Sequence, residues 1–279
     1  ALVAGCSVPL VWQGCQPGGL DRHTQRVAPG VWLHKVHLVG GPWRVNVLEV
    51  DLPQAAAAGY RLQVAQAAGC RPARTTELAG EALAAVNGDF FSEEDGHLVA
   101  RGFHVRNGRV LRPPVGRSAL AVDSQGRPLI ARFRLEAELL DARGVSYAIG
   151  RMGRRPRAAE LSLYSAYACV SGDSLRAEVG FDLDPLVPAF GVNDTVPVCV
   201  RQLRLRWWPL PLVAGHWLLA AGQSHPAGRR IGVGDTLRVH VHVEPEDEAL
   251  PPEAAFEEAI GGGPRLLRDG QVAVEYAPE

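Results

Sequence analysis

The sequence predicts an α+β fold: a large mixed, mostly antiparallel sheet with a few short helices. Three observations carry this expectation. Most patterned stretches alternate apolar and polar residues one by one, as half-buried strands do. Turn signals such as Asn107-Gly108 recur between them. Helical patterns are few and short, at residues 75–83 and 251–259. A chain of 279 residues with 47% hydrophobic and 21% charged residues can bury a core of ordinary size.

The elements follow in order. Residues 1–25 read as a tail or linker, and residues 26–279 as one domain. Residues 31–38 form a strand that Gly40-Gly41-Pro42 ends. In residues 43–52, Arg44, Asn46 and Asp51 alternate with Val45, Val47 and Val50, which predicts a second strand. Residues 60–65 predict a third. A short helix follows over 75–83, capped by Thr75 or Thr76 with Glu77 in its first turn. It runs into Ala84, Ala85 and Val86, a small apolar stretch expected as a buried strand. Hairpins are expected over 97–110, turning at Asn107-Gly108, and over 118–133, turning at Asp123-Ser124-Gln125-Gly126. Residues 135–160 show no clear period, apart from a basic, Pro- and Gly-containing loop from Arg151 to Arg157. Further strands are predicted near 160–169, 176–182, 196–206, 216–221 and 236–244. Pro251-Pro252-Glu253 opens the last helix, with proline in its first turn.

Charge and cysteines bound the function. Twenty-nine basic residues stand against thirty acidic ones, a net charge of -1. That balance argues against a nucleic-acid partner, which asks for a basic stripe. Only one of the basic residues is a lysine, Lys35; a GC-rich genome or a hot habitat accounts for such a bias, and arginine's planar fork also suits anion recognition. Residues 1–20 are uncharged but broken by glycine, proline and polar residues, so they do not read as a membrane span. Val3-Ala4-Gly5-Cys6 has the form of a lipobox, with Cys6 as a lipid anchor; the alternative is a Cys6–Cys15 disulfide loop. Either places the chain outside the cytoplasm, secreted, periplasmic or anchored to the envelope. Cys169 and Cys199 lie in apolar strand-like contexts and could be bridged; if Cys6 carries the lipid, Cys15 and Cys70 are left as a second possible pair. No CxxC pair is present. His240, His242 and Glu244 share one strand face, which is more often a solvated row than a metal site. No metal and no cofactor are expected.

Two stretches could carry chemistry. Asn87-Gly88-Asp89-Phe90-Phe91 brings an amide, a glycine and a carboxylate to the end of a small apolar strand. Asn87 can donate to and accept from a sugar hydroxyl, and Gly88 admits a close ligand. Asp89 could be a general acid or base, and Phe90 or Phe91 could floor a sugar site. A plain Asn-Gly turn with two core phenylalanines is the competing reading. The second stretch, Gly261-Gly262-Gly263-Pro264, could gather bare N–H groups into an anion cradle, with Arg265 and Arg268 nearby; the competing reading is a tight turn.

Taken in order, these motifs resemble the phosphodiester glycosidase family, which includes the lysosomal uncovering enzyme and bacterial exopolysaccharide-associated proteins. The residues that carry the resemblance are Ala85-Val86-Asn87-Gly88-Asp89-Phe90-Phe91, the hairpin from Gly102 to Asn107-Gly108, and Arg117-Ser118-Ala119-Leu120. Leu163-Tyr164-Ser165, the stretch from Trp217 to Gly222, Gly234-Asp235 and the stretch from Ala259 to Gly270 complete the series. The resemblance covers about residues 30–275. It implies hydrolysis of a sugar 1-phosphodiester in a polysaccharide or glycoconjugate. Asp89 would supply one carboxyl and Glu77 the other, with Asn87 orienting a sugar hydroxyl. Gly88 and Phe91 would line the sugar, and Gly261, Gly262 and Gly263 with Arg117 or Arg265 would hold the phosphate. Family members continue with a Pro-Arg-Thr-Ala-x-Gly strand and an Asp-Gly-Gly-Gly-Ser loop that this sequence lacks. The domain therefore reads as incomplete at its C-terminus: a fragment, one chain of a cleaved protein that a partner chain could complete, or a diverged relative without catalysis. The alternative is a non-catalytic surface protein of the same fold that binds carbohydrate or phospho-glycan.

Overall fold

The computed structural model of the chain describes residues 20–67, 73–94, 97–165, 179–185, 192–205, 217–246 and 256–275. Among these, the chain opens with β1 (Leu20–Ala28), β2 (Val31–Leu38) and β3 (Arg44–Val50), then α1 (Leu52–Ala57) and α2 (Thr75–Ala79). Two hairpins follow, β4 (Phe91–Glu94) with β5 (His97–Ala100) and β6 (His104–Arg106) with β7 (Arg109–Arg112). Next come β8 (Ala119–Asp123), β9 (Pro128–Ala131), β10 (Phe133–Leu140), β11 (Ser146–Met152) and β12 (Leu161–Ser165). Then come β13 (Val179–Pro185), β14 (Asp194–Leu205), β15 (Trp217–Ala221), α3 (Ala227–Arg230) and β16 (Thr236–Pro245). The chain ends with β17 (Phe256–Gly261), β18 (Leu267–Arg268) and β19 (Gln271–Val272).

This is a mainly-β fold, which corrects the α+β expectation. Seven strands close a barrel in the order β10-β11-β12-β15-β13-β14-β16, and five more form a sheet in the order β7-β6-β17-β8-β9. Strands β1 to β3 form a separate antiparallel meander. Only β11 and β12 pair in parallel within the barrel. The three helices have four to six residues each.

Burial explains the barrel. Alternate residues of β14 and β16 point inward: Val196, Val198 and Val200, then Leu237, Val239, Val241 and Val243 are all buried. Leu161, Leu163, Phe181, Leu183 and Leu219 fill the same interior. Such alternation gives each strand one dry face, and closure through the β10–β16 pair removes the open edges. The five-stranded sheet joins this core rather than forming its own. Phe103 and Phe133 pack with ring centroids 5.0 Å apart, and Phe256 meets Phe133 edge-on at 5.3 Å.

Local corrections have local causes. Over 256–259 the predicted helix of residues 251–259 gives way to β17, which is central in its sheet and pairs with β6 on one side and β8 on the other, while residues 251–255 lie outside the described residues. A short apolar run is compatible with either state, and two flanking strands decide it. The predicted strand over 60–65 is irregular because the Val64 N–H donates to the buried carboxylate of Glu258 at 2.8 Å. Ala84, Ala85 and Val86 are not a buried strand but an exposed, irregular stretch. Residues 20–25, read as tail, form the first part of β1. Asn107 and Gly108 both take positive φ, as a type I′ turn requires. Cys199 is a free thiol rather than half of a bridge, and Cys6, Cys15, Cys70 and Cys169 lie outside the described residues.

Candidate functional site

The site is built where residues 88–90 pass the end of β17 and the start of the β6 hairpin. The Asp89 side chain is only 7% exposed. Its Oδ1 accepts from the Phe90 N–H at 2.7 Å and from Arg117 Nη2 at 2.9 Å. Its Oδ2 is buried and has no hydrogen-bond partner. Two glycines make room for that oxygen: a Cβ on Gly102 would lie 1.7 Å from Oδ2, and one on Gly261 would lie 2.1 Å away. Both positions therefore exclude any other residue while Asp89 keeps this place. At Gly88 an added Cβ would stand 2.0 Å from Ile260 Cδ1, so the end of that side chain would have to shift.

Arg117 is the hub of the cluster. Its guanidinium also donates to the Arg101 carbonyl at 3.3 Å and lies 5.2 Å above the ring of Phe90. It stays about a quarter exposed, whereas its carboxylate partner is covered. Burial pushes the Asp89 carboxyl above its ordinary value, against the opposing pull of the Phe90 N–H and the Arg117 cation. A cation held from one side by a buried carboxyl and a carbonyl, and open on another, is suited to meeting an anion.

The other predicted residues separate from this cluster. Glu77 is exposed, and its carboxylate accepts from the Arg74 N–H at 3.1 Å, capping its own short helix. Among the described residues no hydrogen bond or ion pair brings a second carboxylate to Asp89. Asn87 is exposed, and Phe91 is 68% exposed at the start of β4. The N–H of Gly262 already donates to the Ser118 carbonyl at 3.1 Å, and within the glycine run it is Gly261 whose missing Cβ makes room for Asp89. Gly263 takes φ +106° before a cis peptide bond to Pro264. Arg265 turns elsewhere: its Nη1 donates to the Ile130 carbonyl and its N–H to Glu275, each at 3.3 Å.

Sequence reasoning missed Gly102 as a site residue, and with it the Arg101 carbonyl. A glycine at the mouth of a hairpin was the available signal. Of the two phenylalanines offered as a sugar floor, Phe90 stands beside Arg117, and Phe91, named as lining the sugar, lies exposed on β4. His240 accepts from or donates to Thr195 Oγ1 at 2.8 Å, and His242 stands 3.5 Å from Glu244, which also pairs with Arg134. Among the described residues no group of three or more His, Cys, Asp or Glu gathers to hold a metal. No helix there is long and apolar enough to cross a membrane.

No model of a known protein family matches the chain, and no curated protein does. Solved structures share the fold. One is a presumed exported protein of Burkholderia pseudomallei, similar at a TM-score of 0.63 and 17% identity over 93% of this chain and 74% of that one. Another is a hypothetical protein from Synechocystis, at a TM-score of 0.60 and 18% identity over 91% of this chain and 46% of that one. This chain thus spans less than half the length of the second.

Proposed function

We propose that the chain is an extracytoplasmic phosphodiester glycosidase that releases a sugar from a phosphorylated acceptor. The single observation that supports it best is the half-open Arg117 cation, braced by the buried Asp89 carboxyl beside two obligatory glycines. In this reading Arg117 binds the substrate phosphate. Water adds at the anomeric carbon, the anomeric C–O bond breaks with its electron pair passing to the phosphate, and the water proton passes to solvent. A phosphate is a good leaving group, so charge stabilisation by Arg117 counts for more than protonation by an acid. Asp89 is then a positioning residue that acts through Arg117, and Phe90 stacks on the same guanidinium. Work outside the cytoplasm is supported by the fold shared with a presumed exported protein.

A second reading, glycan binding without cleavage, is favoured by one specific observation: Glu77 caps its own helix and no other carboxylate joins Asp89 among the described residues. A sugar 1-(alkyl phosphate) diester separates the two. Release of reducing sugar by the native chain supports hydrolysis. Arg117→Ala is then expected to lower kcat/KM by roughly 100-fold, the usual cost of losing a charge-stabilising donor. Asp89→Asn should raise KM more than it lowers kcat, because it loosens Arg117 without removing it, and Arg117→Lys should recover part of the loss. Binding of the diester with no sugar released would sink the hydrolase and leave the binding protein.

A further inference from the structure

A cleft of about 560 Å³ opens beside the Asp89 cluster, between the five-stranded sheet and the barrel. Six arginines line it: Arg101, Arg112, Arg134, Arg151, Arg154 and Arg157. Two carboxylates, Glu160 and Glu246, stand among them. Both are already engaged. Glu160 pairs with Arg151 at 2.6 Å and Arg157 at 3.5 Å, and Glu246 with Arg132 at 3.4 Å. Arg134 is neutralised from outside the cleft by Glu244 and Glu136. Among the described residues, the exposed side chains of Arg101 and Arg154 have no carboxylate within ion-pair distance. The cleft thus keeps unspent positive charge in a molecule whose net charge is -1. The basic loop from Arg151 to Arg157, unexplained by the Asp89 cluster, supplies one wall of it.

Between the arginines run half-exposed apolar surfaces, Leu135, Met152 and Val115 with Pro113 and Pro114. We propose that this cleft binds a segment of an anionic glycan, the arginines taking its charged groups and the apolar strip taking the C–H faces of its rings. A nucleic acid fits less well. It would ask for exposed aromatic platforms, and among the described residues the one aromatic that lines the cleft, Phe133, is buried. The cleft also leads to the candidate site: Gly102 lines it and abuts Asp89, and the carbonyl of Arg101 holds Arg117. A chain lying in the cleft would present its next residue to Arg117. That orientation rests on the hydrolase reading; the binding itself does not.

Calorimetric titration of the whole chain tests this with four probes. They are an oligogalacturonate, a poly(glycerol phosphate), neutral dextran and a single-stranded oligonucleotide of matching charge. At least one anionic polymer should bind ten times or more tighter than dextran and weaken as salt is added. The tighter of the two tells whether carboxylate or phosphate is the natural charge. Arg101→Ala with Arg154→Ala should weaken that binding by about tenfold or more, since each removes a charge-assisted contact, while the paired lysine variants keep much of it. Thermal melts equal to the native chain's would show that the variants fold. Equal binding of dextran, an alanine pair that binds as well as the native chain, or an oligonucleotide tighter than both other anionic polymers would overturn the proposal. Oligogalacturonate contains no sugar 1-phosphodiester, so its binding succeeds or fails independently of hydrolysis.

Discussion

At the scale of single residues, the Asp89 cluster is a problem of space. Its Oδ2 occupies volume that two Cβ atoms would need. Gly102→Ala is therefore expected to destabilise the fold by about 1–3 kcal/mol, the range for overpacking. The cost should largely vanish when Asp89→Ala removes the clashing oxygen, and a double-mutant cycle of denaturant midpoints reads the coupling. Additive losses would mean that the two residues do not meet. His104 sets a pH dependence of known sign. Burial, with Arg106 and Arg112 nearby, lowers its pKa from 6.5 to about 4. The unfolded chain thus takes up the proton first as pH falls. Stability should decline from near pH 6.5 down to about pH 4, by on the order of 3 kcal/mol from this group. Asp89, with its raised pKa, pulls the opposite way, gaining stability as it is protonated. Melting temperatures of native and His104→Gln proteins should converge toward pH 4, the variant lacking this part of the slope; parallel curves would refute the assignment.

At the scale of elements, strands were legible and their partners were not. The stretches near 196–206 and 236–244 read as strands because every second residue is apolar, and they became β14 and β16. Nothing in that alternation separates an open sheet from a barrel, since both present one dry face. What misled was chemistry acting across the chain. Glu258 is buried, and its two oxygens accept from the Val64 N–H at 2.8 Å and the Asn107 N–H at 3.1 Å. One carboxylate thus ties an irregular segment and a hairpin turn to β17, over 194 and 151 residues of sequence. A local pattern cannot show such a bond, and so residues 60–65 read as a strand. The candidate site was legible in the same partial way. Asp89, Gly88, Gly261 and Arg117 were within reach of motif reasoning. Glu77 was misplaced because its sequence position at a helix start already explains it as a cap, and Gly102 was passed over because a hairpin glycine has a bland use.

At the scale of the molecule, the core divides unequally, and the division has a dynamic consequence. Barrel and five-stranded sheet share one large apolar cluster, which runs from Phe103 and Phe256 through Phe133 into the barrel interior. The meander of β1 to β3 has a small cluster of its own, Ala28, Val31 and Ala55 with Leu48 and Val50 against them. Its outer strands offer many exposed positions, Arg22 to Arg26 and Arg44 to Asn46 among them. Buried apolar area is the main source of resistance to opening, so the two regions should open at different free energies. In native-state hydrogen exchange, amides of β14 and β16 are expected to open only with the whole domain. Those of β1 to β3 should open several kcal/mol more easily. The candidate cluster sits on the durable side of this divide, because Gly102 and Gly261 flank Phe103 and Ala259 of the large core. Arg117 would therefore be presented by a frame that stays closed while the meander opens. A single class of protection across β2 and β16 would show instead that the meander and the barrel unfold as one unit, and the rigidity argued for the cluster would lose its basis.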